Sequence, residues 1–166
     1  MEIKEVSVKG EWNSLFRSAK KSNISQDWDY GRFRELTSDI RARRFKIVDQ
    51  NSVLGIFQTF EKKLKWLPFI KIVYLNRGPL ILDYSISYAL LLRIIAKNFS
   101  VLRGCLFLIN PFKSLRNNVI KDLKESRFIS LKSSIYETSY VDLTQSEGVL
   151  RSKLHSKWRN QLVKSE

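Results

Sequence analysis

The order in which two hydrophobic periods follow one another along the chain predicts an α/β fold, a mixed sheet flanked by helices. Three observations carry it. Residues 43–61 change to period two, with Phe45 and Ile47 alternating before a polar turn at 49–52 and a β-branched and aromatic run over 53–60 after it, as in a hairpin. Residues 11–21 place Trp12, Leu15, Phe16 and Ala19 three and four apart, as one face of a helix requires. Residues 86–99 form an apolar stretch of helix length, and 101–109 an apolar run of strand length ending at Asn110-Pro111, together a buried helix leading into a buried strand.

The remaining elements follow in order. Ile3, Val6 and Val8 among charged neighbours give a short first strand before the 11–21 helix. Residues 23–26 offer caps for a second short helix carrying Trp28, Tyr30, Phe33 and Leu36 on its apolar face, which ends at 37–39. After the hairpin, Trp66-Leu67-Pro68 is a break, 69–75 is a strand, and Asn76-Arg77-Gly78-Pro79 is a stop. Residues 115–123 read as an amphipathic helix, with 128–131 and 138–143 as short closing strands. Thr144 and Glu147 have the spacing of a capping box that opens one last basic helix with Leu150, Leu154, Trp158 and Leu162 four apart. The expected organisation is one domain over 1–143 and a basic helix over 144–166 leading toward a second domain absent from the chain.

With 166 residues, 43% apolar, the chain is long enough to bury a single core, and its aromatic content excludes a disordered chain as the source of its charge. Thirty basic against sixteen acidic residues give +14, so the partners to expect are anions or anionic surfaces: nucleic acid, an acidic membrane face, or a phosphorylated small molecule. Cys105 is the only cysteine and sits inside an apolar run, as a small buried hydrophobe does. The first nine residues contain two glutamates and no apolar core, unlike a secretory signal, and the apolar stretches are too short or interrupted to span a bilayer; a cytoplasmic location is expected.

Common catalytic constellations are missing. Only six glycines occur, without the spacing of a dinucleotide fingerprint or a P-loop, and one histidine with one cysteine assembles neither a zinc site nor a Cys-His pair. His155 reads as a surface residue of a basic helix. An acetyl-CoA enzyme of GNAT type needs free backbone amides at the start of its central helix, whereas the corresponding turn holds Pro79, which has no amide to give. No cofactor is expected and acetyl-CoA is disfavoured.

The element order is similar to that of a GNAT domain, and five stretches resemble the Fem family of peptidoglycan aminoacyltransferases. They are Gln26-Asp27-Trp28-Asp29-Tyr30-Gly31, Arg77-Gly78-Pro79, the strand 106–111 ending in proline, the Thr-x-x-x-Asp-Leu strand 138–143, and Lys157-Trp158-Arg159-Asn160. In many relatives the last runs into an Ala-Glu pair, where this chain has Ser165-Glu166. The resemblance implies two GNAT-like domains sharing a cleft, in which an amine of a peptidoglycan precursor attacks the ester of an aminoacyl-tRNA. This chain would supply the first, precursor-binding half and would be incomplete alone.

By the resemblance, Arg34, one helical turn after Tyr30, holds precursor phosphate, although a solvated helix arginine, with Arg32 in the binding role, is an equal reading. Tyr30, Arg77, Lys157, Trp158, Arg159 and Asn160 complete the expected binding set. Arg77-Gly78-Pro79 also has a structural explanation as a stiff turn, and Asp142 reads as a strand-end residue rather than a general base. Catalytic residues are left unassigned. The partners expected are an anionic cell-wall precursor, tRNA, the anionic inner face of the membrane as a peripheral site, and a second GNAT-like domain or chain. Two alternatives stay open: an N-acyltransferase of another cell-envelope amine or amino sugar, and a non-catalytic basic nucleic-acid-binding module.

Overall fold

The computed structural model describes residues 1–99, 104–111, 123–124, 128–131 and 144–165. They belong to two compact units, Met1–Ile129 and Ser130–Glu166, described separately below. The expected closing strand at 138–143 and most of the helix at 115–123 lie outside the described residues, and residues 128–131, expected as a strand, have no regular structure.

The first unit runs β1 (Glu2–Glu5), α1 (Lys9–Ser18), a 3-10 turn (Ile24–Gln26), α2 (Trp28–Thr37), β2 (Arg41–Asp49), β3 (Ser52–Leu64), β4 (Leu67–Asn76), β5 (Leu80–Ile81), α3 (Tyr88–Asn98) and β6 (Cys105–Asn110). The strands order as β1-β2-β3-β4-β6, all neighbours antiparallel except β4 and β6, which the α3 crossover makes parallel. β3 is long enough to pair with two successive partners: β4 over Thr59 to Leu64, then β5 at Gly55 and Ile56. Between those partners the chain turns at Arg77-Gly78-Pro79, where the Gly78-Pro79 peptide is cis.

Alternation along β2 and β3 divides the side chains between two cores. On one face Phe45, Ile47, Phe57 and Val73 pack with Leu91, Leu92 and Ile95 of α3 and with buried Cys105. On the other, Ile56 and Leu80 pack with Trp12 of α1 and Val6, flanked by Leu15, Phe16 and Trp28. Helix α2 corrects the expected apolar face. Its buried contact is Gly31, while Phe33 and Leu36 are 57% and 74% exposed.

The second unit also departs from expectation. The single basic helix is two, α4 (Glu147–Lys153) and α5 (Ser156–Ser165), separated where Leu154 takes an extended backbone with ψ 140°. The cap of α4 is Ser146, without a side-chain cap bond, and Glu147 pairs instead with Arg151 at 2.7 Å. His155 restarts the helix, its Nδ1 accepting from the Lys157 amide at 3.4 Å. No helix among the described residues is long and apolar enough to cross a membrane.

Candidate functional site

Three of the stretches singled out in the sequence meet at the end of β4. The 3-10 turn is set by Asn23, whose Oδ1 accepts from the Ser25 amide at 3.0 Å. Asp27 then caps α2, its Oδ1 accepting from the Asp29 and Tyr30 amides at 2.8 and 3.2 Å. This geometry aims Gln26 into the sheet, where it is fully buried. The ladder between β3 and β4 stops at Thr59 and Leu75, and the Gln26 amide takes the next rung. Its Nε2 donates to the carbonyls of Asn76 at 2.7 Å and Gln58 at 3.2 Å, and its Oε1 accepts from the Gln58 amide at 2.7 Å.

Gln58, also fully buried, answers by donating Nε2 to the carbonyls of Ser25 and Asp27 at 3.2 and 3.0 Å. Gly78 is required beside this pair, because a Cβ there would stand 2.8 Å from Leu75 and 2.9 Å from the Gln26 amide carbon. Gly31 is required on the α2 side, where a Cβ would collide with Gln58 Oε1 and Arg44 Nη2.

Asn76 is the junction. Its Oδ1 accepts from Asn110 Nδ2 at 2.9 Å and from the Tyr74 hydroxyl at 3.2 Å, and the next residue, Arg77, donates its amide to the Asn110 carbonyl at 2.7 Å. Arg77 holds a left-handed backbone, φ 50°, which turns the chain out of β4. Tyr74 lies opposite Phe60 in the ladder, and Phe60 meets the edge of Tyr30 at 6.1 Å between centroids. Arg34 joins this aromatic strip, its guanidinium 5.6 Å from the Phe60 ring centre and its Nη1 donating to the Tyr30 hydroxyl at 3.4 Å. Tyr30, Arg34 and Arg77 therefore occupy one end of the sheet, linked through Phe60, Tyr74 and Asn76. Arg32 pairs instead with Glu35 at 3.6 Å.

Arg44 was not anticipated. It is 7% exposed, lies 3.8 Å from the Trp28 ring centre and donates Nη2 to the Trp28 carbonyl at 3.0 Å. Its Nε and Gln58 Oε1 are buried without a hydrogen-bond partner, and burial pulls its guanidinium below the usual arginine pKa. A cavity of about 330 Å³, lined by Trp28, Arg32, Glu35, Arg41 and Arg44 among others, opens beside it. Arg41 and Arg44 in a strand look like solvent-facing charges, so the alternation alone gave no signal that one of them is interior.

Among the described residues no cluster of three metal-ligating side chains occurs. Asp142 lies outside the described residues. In the second unit Lys157, Trp158, Arg159 and Asn160 are all exposed on α5, Trp158 to 65%. The single helix with Leu150, Leu154, Trp158 and Leu162 on one stripe is thus corrected, because the break at Leu154 removes Leu150 and Trp158 from a common helix.

Comparison with solved structures gives the scaffold its relatives. The crystal structure of FemX matches with a TM-score of 0.58 and 25% identity over 75% of this chain. The chain has a Fem-like GNAT fold. It spans 31% of the FemX chain. A probable acetyltransferase, with a TM-score of 0.53 at 13% identity, is covered over 99% of its length. An aminoglycoside acetyltransferase from an uncultured soil metagenomic sample, solved with sisomicin, matches with a TM-score of 0.51 at 10% identity. No protein-family model and no curated protein sequence matches. The mixed sheet flanked by helices expected from the sequence is thus the scaffold of GNAT-like N-acyltransferases.

Proposed function

We propose that this chain is the precursor-binding part of a Fem-type aminoacyltransferase, which transfers an amino acid from aminoacyl-tRNA to an amine of a peptidoglycan precursor. The observation that carries the reading is the convergence of Gln26-Tyr30-Gly31, Arg77-Gly78 and Asn110 around Asn76, with Arg34 held beside them on the aromatic strip. The 25% identity to FemX over three quarters of the chain supports it.

In this reading Arg34 and Arg77 hold precursor phosphate, Arg34 through a planar fork whose orientation Tyr30 and Phe60 restrict before the ligand arrives. The precursor amine then attacks the ester carbonyl of the aminoacyl-tRNA. An amide bond forms, the ester C–O bond breaks, the ribose hydroxyl leaves, and the amine proton passes to it. The base that moves this proton is assigned to a second domain, as are the contacts to the tRNA acceptor end. Lys157, Trp158, Arg159 and Asn160 are proposed to serve the same reaction as a basic contact for precursor or tRNA.

The central helix α3 starts at Tyr88, beyond β5, which corrects the expectation that Pro79 stands at its start; the residues found there instead argue against acetyl-CoA as donor. Ser87 Oγ already accepts the Leu90 amide at 3.2 Å, and the Asp83 carboxylate, held ionised by the hydroxyl and amide of Ser85, precedes the helix. The β4–β6 pairing is continuous from Lys71 and Cys105 to Asn76 and Asn110, which supports a donor other than acetyl-CoA.

Calorimetry with a diphosphate-bearing peptidoglycan precursor tests the reading. Arg34→Ala should weaken binding at least tenfold, about the value of one charge-assisted bidentate contact, while leaving the melting temperature unchanged. Equal affinity of variant and wild type would overturn the assignment of Arg34. Binding of acetyl-CoA in place of the precursor would move the chain to the N-acyltransferase alternative. Transfer from aminoacyl-tRNA, measured with and without a second GNAT-like domain, tests the division of labour. Full activity of this chain alone would refute it.

A further inference from the structure

The tip of the β3–β4 hairpin has no role in the site described above. Pairing of β2 with β3 ends at Arg41 and Glu61, and pairing of β4 with β6 begins at Lys71 and Cys105. Among the described residues, the hairpin thus extends past the end of β2, with Gly104 against the Phe69 backbone on its other side, and closes at Leu64 and Leu67 after a register break that leaves residues 68–70 bulged. A lone ribbon buries little, and soluble proteins blunt such tips with polar turns. This tip does the opposite. Trp66 is 93% exposed, the highest value of any large apolar residue described, Phe69 is 72% exposed and Leu67 41%.

The charge around these rings is of one sign. Lys62, Lys63 and Lys65 are exposed and have no acidic partner among the described residues, and no acid occurs between Glu61 and Asp83. The nearest carboxylate, Glu61, is already engaged by Arg43 and Lys71 at 3.3 and 2.9 Å. From this we infer that the hairpin tip docks the protein on a bilayer rich in anionic phospholipid, with Trp66 and Phe69 entering the interfacial zone and the three lysines meeting lipid phosphates.

The chemistry fits that occupant better than nucleic acid. An indole prefers the headgroup boundary, where its ring is in apolar surroundings and its N–H stays wet, and lysines snorkel around it. Leu67 extends the apolar tip with a side chain that has no face to stack on a base, and a projecting ribbon offers no groove to track a strand. The inference stands apart from the transferase reading, since vesicle association requires no acyl transfer.

Flotation of the full chain with phosphatidylcholine vesicles, with and without phosphatidylglycerol, reads it out, together with quenching of tryptophan emission by acyl-chain-brominated lipid. Wild type should float with the anionic vesicles and be quenched. Trp66→Ala with Phe69→Ala should lose the quenching and lower partitioning by about tenfold or more. Lys62→Gln, Lys63→Gln and Lys65→Gln together should lower partitioning by at least tenfold, since each interfacial cation is worth roughly fivefold. A control removing the same charge elsewhere, Arg17→Gln with Lys20→Gln and Lys21→Gln, should keep the quenching and most of the binding. All three variants change exposed side chains, and matching thermal melts verify that they fold. Failure of the wild type to float, quenching that survives removal of Trp66 and Phe69, or equal losses in the control and hairpin lysine variants would each overturn the inference.

Discussion

Gln26 and Gln58 behave as inserted pieces of backbone, because an amide side chain carries the same donor and acceptor as a peptide. That role explains their complete burial, and it sets the cost of removing one. Gln26→Ala leaves the buried Gln58 amide without its acceptor and takes one of two donors from the Asn76 carbonyl, which keeps the Ser25 hydroxyl at 2.9 Å, and should cost about 1–3 kcal/mol. Gly31→Ala attacks the same arrangement from α2, pushing a methyl group into Gln58 and Arg44, and should cost about 1–3 kcal/mol. Urea denaturation measures both, and a loss below about 0.5 kcal/mol in either variant would contradict the contacts described. At this scale the sequence was only partly legible. Tyr30, Gly31, Arg34 and Arg77 stood out through their motif positions, but a glutamine or an arginine in an alternating strand reads as solvent-facing, so the interior Gln58 and Arg44 left no mark in the pattern.

Four strands are tied together on the α3 side by ion pairs. Arg43 of β2 grips Glu5 of β1 through Nε and Nη2 at 2.9 and 2.7 Å and reaches Glu61 of β3, which Lys71 of β4 also engages. The hydrogen bonds from Arg43 hold the Glu5 carboxyl below its ordinary value of 4.5, and Glu5 in turn raises the pKa of Arg43. A carboxylate with a depressed folded pKa adds stability above its unfolded pKa and loses it as pH falls through the folded one. Melting temperature should therefore fall as pH drops below 4.5, and Glu5→Gln should flatten that part of the acid limb. At neutral pH the same substitution should cost no more than about 1 kcal/mol, since Glu5 is partly exposed and screened. An acid limb identical in wild type and variant would show that Glu5 is not the group responsible. The strands were readable as elements because Phe45 and Ile47 alternate and residues 53–60 form a β-branched and aromatic run after a polar turn. The burial of α2 and the break after α4 were not. A glycine chose the packed face of α2 over Phe33 and Leu36, and Leu154 interrupts a helical pattern without the glycine or proline that announces such a stop.

At the scale of the whole chain, the order of strands and helices was the most legible property, because it depends on many residues agreeing rather than on any one. The Fem-like GNAT scaffold follows from that agreement, while a donor or an acceptor depends on a few side chains whose partners the order does not specify. The first unit also joins its layers unusually. The rung between Gln58 and Asn76 is supplied by a residue of the 3-10 turn that leads into α2, so docking of that turn and completion of the sheet are one event. The Gln58 amide consequently reports on α2. In deuterium exchange it should be protected to the same degree as the amides of the turn, and both should become labile together in Gln26→Ala while the centre of β3 stays slow. If the Gln58 amide kept its protection in that variant, the two would be uncoupled. Any ligand that holds α2 in place should slow this one amide in the middle of the sheet, giving a solution signal for occupancy at the end of β4 that needs no assay of transfer.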